Sequence, residues 1–173
     1  GANVFTAPTD EVIDRVGFYV KAGTSYHAEL ITGMTNLADP STGTAAATAD
    51  GTISYAGFYK ADLTQAVTVK AGESFAVSLQ MTAPFTNSTT GVTTSKYYVL
   101  FEGESSSLRN IVSGAGQSFY YNGSTYGDTV NGVTLSNGLA YYNNICIYAY
   151  GNPAMTLSDA WVNTKTSKTL SPV

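Results

Sequence analysis

Glu102 and Glu104, two glutamates in the stretch FEGE, are the closest thing in this 173-residue chain to an acid–base pair. On an extended segment both would project the same way, and glycoside hydrolysis needs two carboxyls about 5–9.5 Å apart across a cleft. Asp10, Glu11 and Asp14 form a second acidic grouping near the start. The chain has only 12 acids, most of them beside turns, so solvation accounts for both groups better than catalysis does. Nucleophilic chemistry finds less support. The single histidine, His27, sits within SYHAELI, there is no Gly-x-Ser-x-Gly elbow, and the single cysteine, Cys146, lies in NICIYAY. Without an activating neighbour, such a cysteine reads as a small buried hydrophobe. The chain is expected not to be an enzyme.

His and Cys are too few for a zinc site. Calcium asks instead for carboxylate, amide and carbonyl oxygens, often gathered from separate loops. Asp50, Asp128 and Asn131 are the main candidates for a structural calcium, with Asp39 and Asn143 behind them. None of them forms an Asp-x-Asp-x-Asp-Gly loop.

Aromatic rings make a better case. Thirteen tyrosines are present, several of them at turns. A tyrosine offers a broad apolar face to the C–H side of a pyranose and a hydroxyl to hydrogen-bond at its edge. GQSFYYNGSTYGDTV (116–130) brings Tyr120, Tyr121, Tyr126 and Asp128 together around an Asn-Gly turn. Phe119 is expected to face the core, leaving Tyr120 or Tyr121, with Tyr126 and Asp128, beside the turn. Tyr142 precedes an Asn-Asn pair, and Trp161 reads as a binding platform or as the cap of one core end. Tyrosine is also favoured in strands on packing grounds alone, so every one of these rings has a structural reading too.

The elements that must hold these residues are strands. Phe75, Val77, Leu79 and Met81 alternate with polar residues in ESFAVSLQM, and Val16, Phe18 and Val20 alternate in DRVGFYV. NICIYAY sets Ile145, Ile147 and Ala149 against Cys146, Tyr148 and Tyr150. KYYVLFE is apolar on both faces and reads as a central strand. SYHAELI, TISYAGFY, LTQAVTV, QSFYY and AMTLSDAWV complete about nine or ten strands, with turns such as Asn122-Gly123, Asn131-Gly132 and Asn137-Gly138 between some of them. The expected class is all-β, a two-sheet β-sandwich or jelly roll. Residues 35–51 and 83–95 read as long loops, Ala45-Ala46-Ala47 holding a helical turn at most.

Charged residues make up 12% of the chain, about half the usual share, and the net charge is −4. Scattered basic residues argue against a phosphate-backbone binder, and no apolar run approaches the ~20 residues of a membrane span. The opening GANVF lacks the charged and apolar stretches of a signal peptide, so the chain reads as part of a longer secreted or surface protein.

Three blocks carry a family resemblance: 51–81 (GTISYAGFYKADLTQAVTVKAGESFAVSLQM), 116–129 (GQSFYYNGSTYGDT) and 143–151 (NNICIYAYG). With EVIDRVGFYVKAGTSYHAEL and YYVLFEGE, they make the chain similar to the lectin-like domain that accompanies papain-type cysteine peptidases in prokaryotic cell-surface proteins. The resemblance implies a jelly-roll sandwich, a non-catalytic accessory role and glycan binding. Cys146 falls where the family's last strand often carries a cysteine. In the second block Tyr126 stands where the family commonly has tryptophan.

The combined expectation is a lectin-like domain over residues 1–155, followed by a terminal strand and extension or linker over 156–173. Its function would be carbohydrate binding or adhesion on the extracellular side, its partners a polysaccharide or cell-surface glycan and the neighbouring domains of the parent protein. The alternative is a structural or protein-binding module packed against an adjacent peptidase domain. A glycan-cleaving enzyme acting through Glu102 or Glu104 is a third reading.

Overall fold

The alternating apolar run of ESFAVSLQM forms the hub strand of the molecule, seen in a computed structural model that describes residues 1–103, 113–134, 138 and 140–154. The strands are β1 (Ala2–Thr6), β2 (Glu11–Val20), β3 (Thr24–Thr32), β4 (Thr44–Ile53), β5 (Gly57–Val69) and β6 (Ser74–Thr86). They continue as β7 (Thr93–Tyr98), β8 (Ser118–Tyr121), β9 (Tyr126–Asp128), β10 (Val133–Thr134), β11 (Ala140–Tyr141) and β12 (Ile147–Pro153). Single 3-10 turns at Pro40–Thr42 and Thr129–Asn131 are the only helical pieces among the described residues. Glu104, Asn137, Trp161, the strand read in AMTLSDAWV and the extension 156–173 lie outside the described residues.

A seven-stranded sheet runs β4-β3-β6-β1-β8-β9, with β7 also paired to β6, and faces a three-stranded sheet ordered β12-β2-β5. This is the expected all-β sandwich. Between the layers lie Phe75, Val77, Leu79 and Met81 of β6, Ala28 and Leu30 of β3, and Val16, Phe18 and Val20 of β2. Phe18, Leu30, Val16 and Val77 are fully buried, each such side chain contributing roughly 1.5–3 kcal/mol.

Four local expectations are corrected. Ala45-Ala46-Ala47 is neither loop nor helical turn but part of β4, paired along β3 with Ala47 and Ala49 in the core. Alanine's weak strand preference yields there to pairing with β3 and to the burial of Ala47 and Ala49 between the layers. Most of residues 83–95 forms the arms of a β6–β7 hairpin, with Ala83 opposite Lys96 and Thr86 opposite Thr93. TISYAGFY splits between β4 and β5 at a turn, and LTQAVTV continues β5. KYYVLFE is not a central strand: Tyr97 belongs to β7 and is 74% exposed, while Phe101 bridges to Ile145 beside the other sheet. The segment is apolar on both faces because it crosses from one layer to the other.

The free edge of β4 is covered by side chains of β5. Thr64 Oγ1 accepts from Thr48 N at 3.1 Å, and Gln65 Nε2 donates to the Ala46 carbonyl at 2.6 Å.

At the other end of the sandwich a buried polar clamp joins the layers. Asn3 of β1 donates from Nδ2 to the carbonyls of Ile145 (2.8 Å) and Ile147 (2.9 Å). Its Oδ1 accepts from Ser118 Oγ at 2.7 Å, and that hydroxyl accepts from Ile145 N at 2.9 Å. Every buried polar atom of the clamp is thereby satisfied.

Asn3→Leu should lower unfolding free energy by about 1–3 kcal/mol, because it removes the amide donors to the Ile147 and Ile145 carbonyls, leaving Ile145 only the Ile147 N–H, and takes away the acceptor of the Ser118 hydroxyl. Urea denaturation followed by tyrosine fluorescence measures it; a loss below about 0.5 kcal/mol would mean that water replaces the amide.

Candidate functional site

The outer face of the three-stranded sheet is aromatic. Strand pairing places Tyr148 of β12, Gly17 of β2 and Lys60 of β5 in one row, with Tyr150, Arg15 and Asp62 in the next outward-facing row. Tyr19 and Phe58 pair in the row on the other side. Phe58 is the central ring, with centroids 5.0 Å from Tyr19, 5.9 Å from Tyr148 and 6.5 Å from Tyr150. Tilted and edge-to-face contacts at these distances hold the rings as one surface. Gly17 makes room for it: a Cβ there would lie 2.5 Å from Tyr150 Cε2 and 2.9 Å from Phe58 Cζ. Lys60 Nζ sits 3.8 Å over the Tyr150 ring.

This surface opens into a shallow groove of about 560 Å³ lined by Tyr19, Leu100, Phe101, Glu102, Cys146 and Tyr148. Its wall is an antiparallel stretch in which Cys146 N donates to Leu100 O at 2.9 Å and Glu102 N to Asn144 O at 2.8 Å. Asn143 Nδ2 fixes the Glu102 carbonyl at 2.7 Å, and Phe101 stacks on Tyr141 at 4.9 Å. Cys146 is not a core residue as expected; it is half-buried and faces the groove. The clamp explains this. Asn3 pulls the carbonyls on both sides of Cys146 inward, so that Ile145 and Ile147 fill the core and the thiol turns out. Burial, with the Glu102 charge adding to it, pushes the thiol pKa up to about 11, which leaves it neutral and inert at pH 7. Burial likewise raises the Tyr148 phenol, with smaller contributions from Cys146 and Glu102.

Of the residues singled out from sequence, Glu102 lines this groove and Asn143 braces its wall, while the described tyrosines expected to bind sugar lie elsewhere. Asn122 Oδ1 accepts from Ser124 N and Thr125 N, closing the expected β8–β9 hairpin with Tyr121 opposite Tyr126. Their rings stand 5.0 Å apart, and Tyr121 is 44% exposed. Tyr126 is half-buried; burial raises its pKa although Ser78, 3.3 Å from its hydroxyl, opposes the shift. Phe119 is buried, but pairing with Ala2 puts it on the outer face of the large sheet, not with the central core. Tyr121 and Tyr126 share that face, on the side of the sandwich opposite the groove. Tyr120 is half-buried, opposite Gly127. Tyr142 is 57% exposed, its ring over Gly132.

The proposed calcium ligands do not converge. Asp50 is on β4 and Asp128 on β9, opposite ends of the sheet order, which at ~4.8 Å per strand spacing separates them far beyond a shared ion. Asp50 binds His27 Nδ1 at 2.6 Å, and this contact raises the imidazole pKa while burial opposes it and Glu29 adds to it. Asp128 accepts from Gly116 N and Val130 N, which commits both its oxygens to the backbone. Asn131 ends the adjoining 3-10 turn. Among the described residues no group of three or more His, Cys, Asp or Glu is placed to hold a metal.

The aromatic surface was missed because alternation puts Tyr19, Tyr148 and Tyr150 on outer faces without saying that β12, β2 and β5 are neighbours. Gly17 at the centre of an otherwise alternating strand was the available signal.

Gly17→Val should cost about 1–3 kcal/mol and displace Phe58 and Tyr150, read as a lowered melting temperature and altered aromatic proton shifts. Labelling of Cys146 by iodoacetamide should be slow at pH 7.5 and climb close to tenfold per pH unit up to pH 10, since only the thiolate reacts. A rate that levels off near pH 8.5 would contradict the raised pKa.

No curated protein and no solved structure matches the chain. The family model described as "Lectin like domain" matches residues 1–151, the whole of both sheets but for the last residues of β12. The chain belongs to the lectin-like domain family.

Proposed function

We propose that the chain is a non-catalytic carbohydrate-binding or adhesive module of a larger secreted or cell-surface protein, and that it grips glycan against Tyr19 and Tyr148. The observation that supports this reading is the groove at the end of the aromatic surface. The exposed Tyr19 and half-buried Tyr148 rings give stacking faces, and the half-buried Glu102 carboxylate beside them is an acceptor for sugar hydroxyls. Charge-assisted hydrogen bonds of this kind fix orientation where stacking alone would not. Glu102 is the one carboxylate among the described residues that line the groove. The sheet face is preferred to the β8–β9 hairpin because Asp128 is already committed to backbone donors.

A second reading, a protein-binding accessory module beside a peptidase domain, draws on the β6–β7 hairpin. Phe85 (47%), Val92 (56%) and Tyr97 (74%) are exposed there, and β7 pairs only with β6 among the described residues.

Calorimetric titration of a panel of cell-wall and host oligosaccharides, with calcium and with chelator, tests the first reading. Tyr148→Ala and Tyr19→Ala should each weaken binding by about 1–2 kcal/mol. Tyr121→Ala, on the opposite face, should leave it unchanged. Binding lost with Tyr121 and kept without Tyr148 would move the site to the hairpin.

A further inference from the structure

Resting on the glycan-binding reading, we infer that Glu102 makes the groove selective for neutral and amino sugars and against uronic and other acidic ones. The lining of the groove is Tyr19, Leu100, Phe101, Gly103, Cys146 and Tyr148 around this one carboxylate, and no Lys, Arg or His is among those residues. Three cations among the described residues of β2, β5 and the β2–β3 turn have partners of their own. Lys60 Nζ lies over Tyr150, Lys21 Nζ lies 5.0 Å from the Tyr98 centroid, and Arg15 pairs with Asp14 at 3.2 Å. No cation is left among the lining residues to neutralise an acidic sugar.

An ionised carboxylate only accepts hydrogen bonds. It takes protons from sugar hydroxyls or from an ammonium group, and it repels a second carboxylate brought beside it in a partly desolvated groove. The same charge acts on its protein neighbours, adding to burial in holding the Cys146 thiol and the Tyr148 phenol protonated. The net charge of −4 puts the background field on the same side. Discrimination therefore comes from a repulsive element as well as an attractive one.

The test pairs β-1,4-linked glucan, mannan and galactan hexamers with their C6-oxidised uronate counterparts, alongside a glucosamine hexamer and its N-acetylated form. Affinities are measured by calorimetry on the full chain. The uronates should bind roughly tenfold or more weakly than their neutral partners at low ionic strength, with the gap narrowing in high salt. Glu102→Gln, which keeps shape and removes charge, should close most of that gap and reduce the advantage of the glucosamine hexamer. Uronates that bind as tightly as neutral sugars would overturn the inference, as would a gap that Glu102→Gln leaves unchanged. Failure of every sugar to bind overturns the glycan-binding reading itself and the selectivity with it, a result distinct from either of the others.

Discussion

The side chain of Asn3 holds the two sheets in register at the end where the groove forms. Its amide reaches from β1 of the large sheet to the backbone on both sides of Cys146, leading into β12 of the small one. Hydrophobic contact between layers is non-directional and fixes no single alignment. Two short donor bonds at 2.8 and 2.9 Å do fix one, since any slip would strand polar atoms away from water. From that constraint follow the outward turn of Cys146, the placement of Tyr148 one residue past Ile147, and the position of the Leu100–Glu102 wall that pairs with residues 144–146.

The two outer faces of the sandwich differ in character. On the small sheet, rings from three strands lean over a glycine and merge with an open groove containing a carboxylate. On the large sheet, charged and polar groups pair with each other: His27 with Asp50 and Glu29, and Tyr126 with Ser78. A side chain already paired has less to offer a ligand, which must replace the existing bond before it gains a new one. The difference in commitment, more than the number of aromatics, separates the two surfaces.

Much of the fold could be read from the sequence. Period-two runs located β2, β6 and β12, because a half-buried strand writes its geometry into every second residue; SYHAELI and QSFYY marked β3 and β8, and Asn122-Gly123 located its hairpin. Where that rule failed, tertiary structure had overridden the local signal. Ala45 to Ala47 carry no strand preference, and only the close approach of β3 and the opposite layer makes them one. The stretch from Tyr97 to Phe101 looked doubly buried because it serves two sheets in turn. The site was harder to see for a related reason. Tyr19, Phe58, Tyr148 and Tyr150 come from three segments as far apart as residues 19 and 150, and their adjacency exists only in the order β12-β2-β5. The Tyr120–Asp128 segment drew attention because its rings are close in sequence.

The cover that Thr64 and Gln65 lay over β4 has a bearing on how such a chain behaves among its own copies. Natural sheets usually guard an open margin with lysines, a resource in short supply in a chain with 12% charged residues. Here two neutral side chains occupy the amide of Thr48 and the carbonyl of Ala46. A docking strand from a neighbouring molecule would have to evict both before it found a continuous ladder. Protection against fibril-like stacking is thus supplied by geometry within the fold, and it is insensitive to salt in a way that charge repulsion is not.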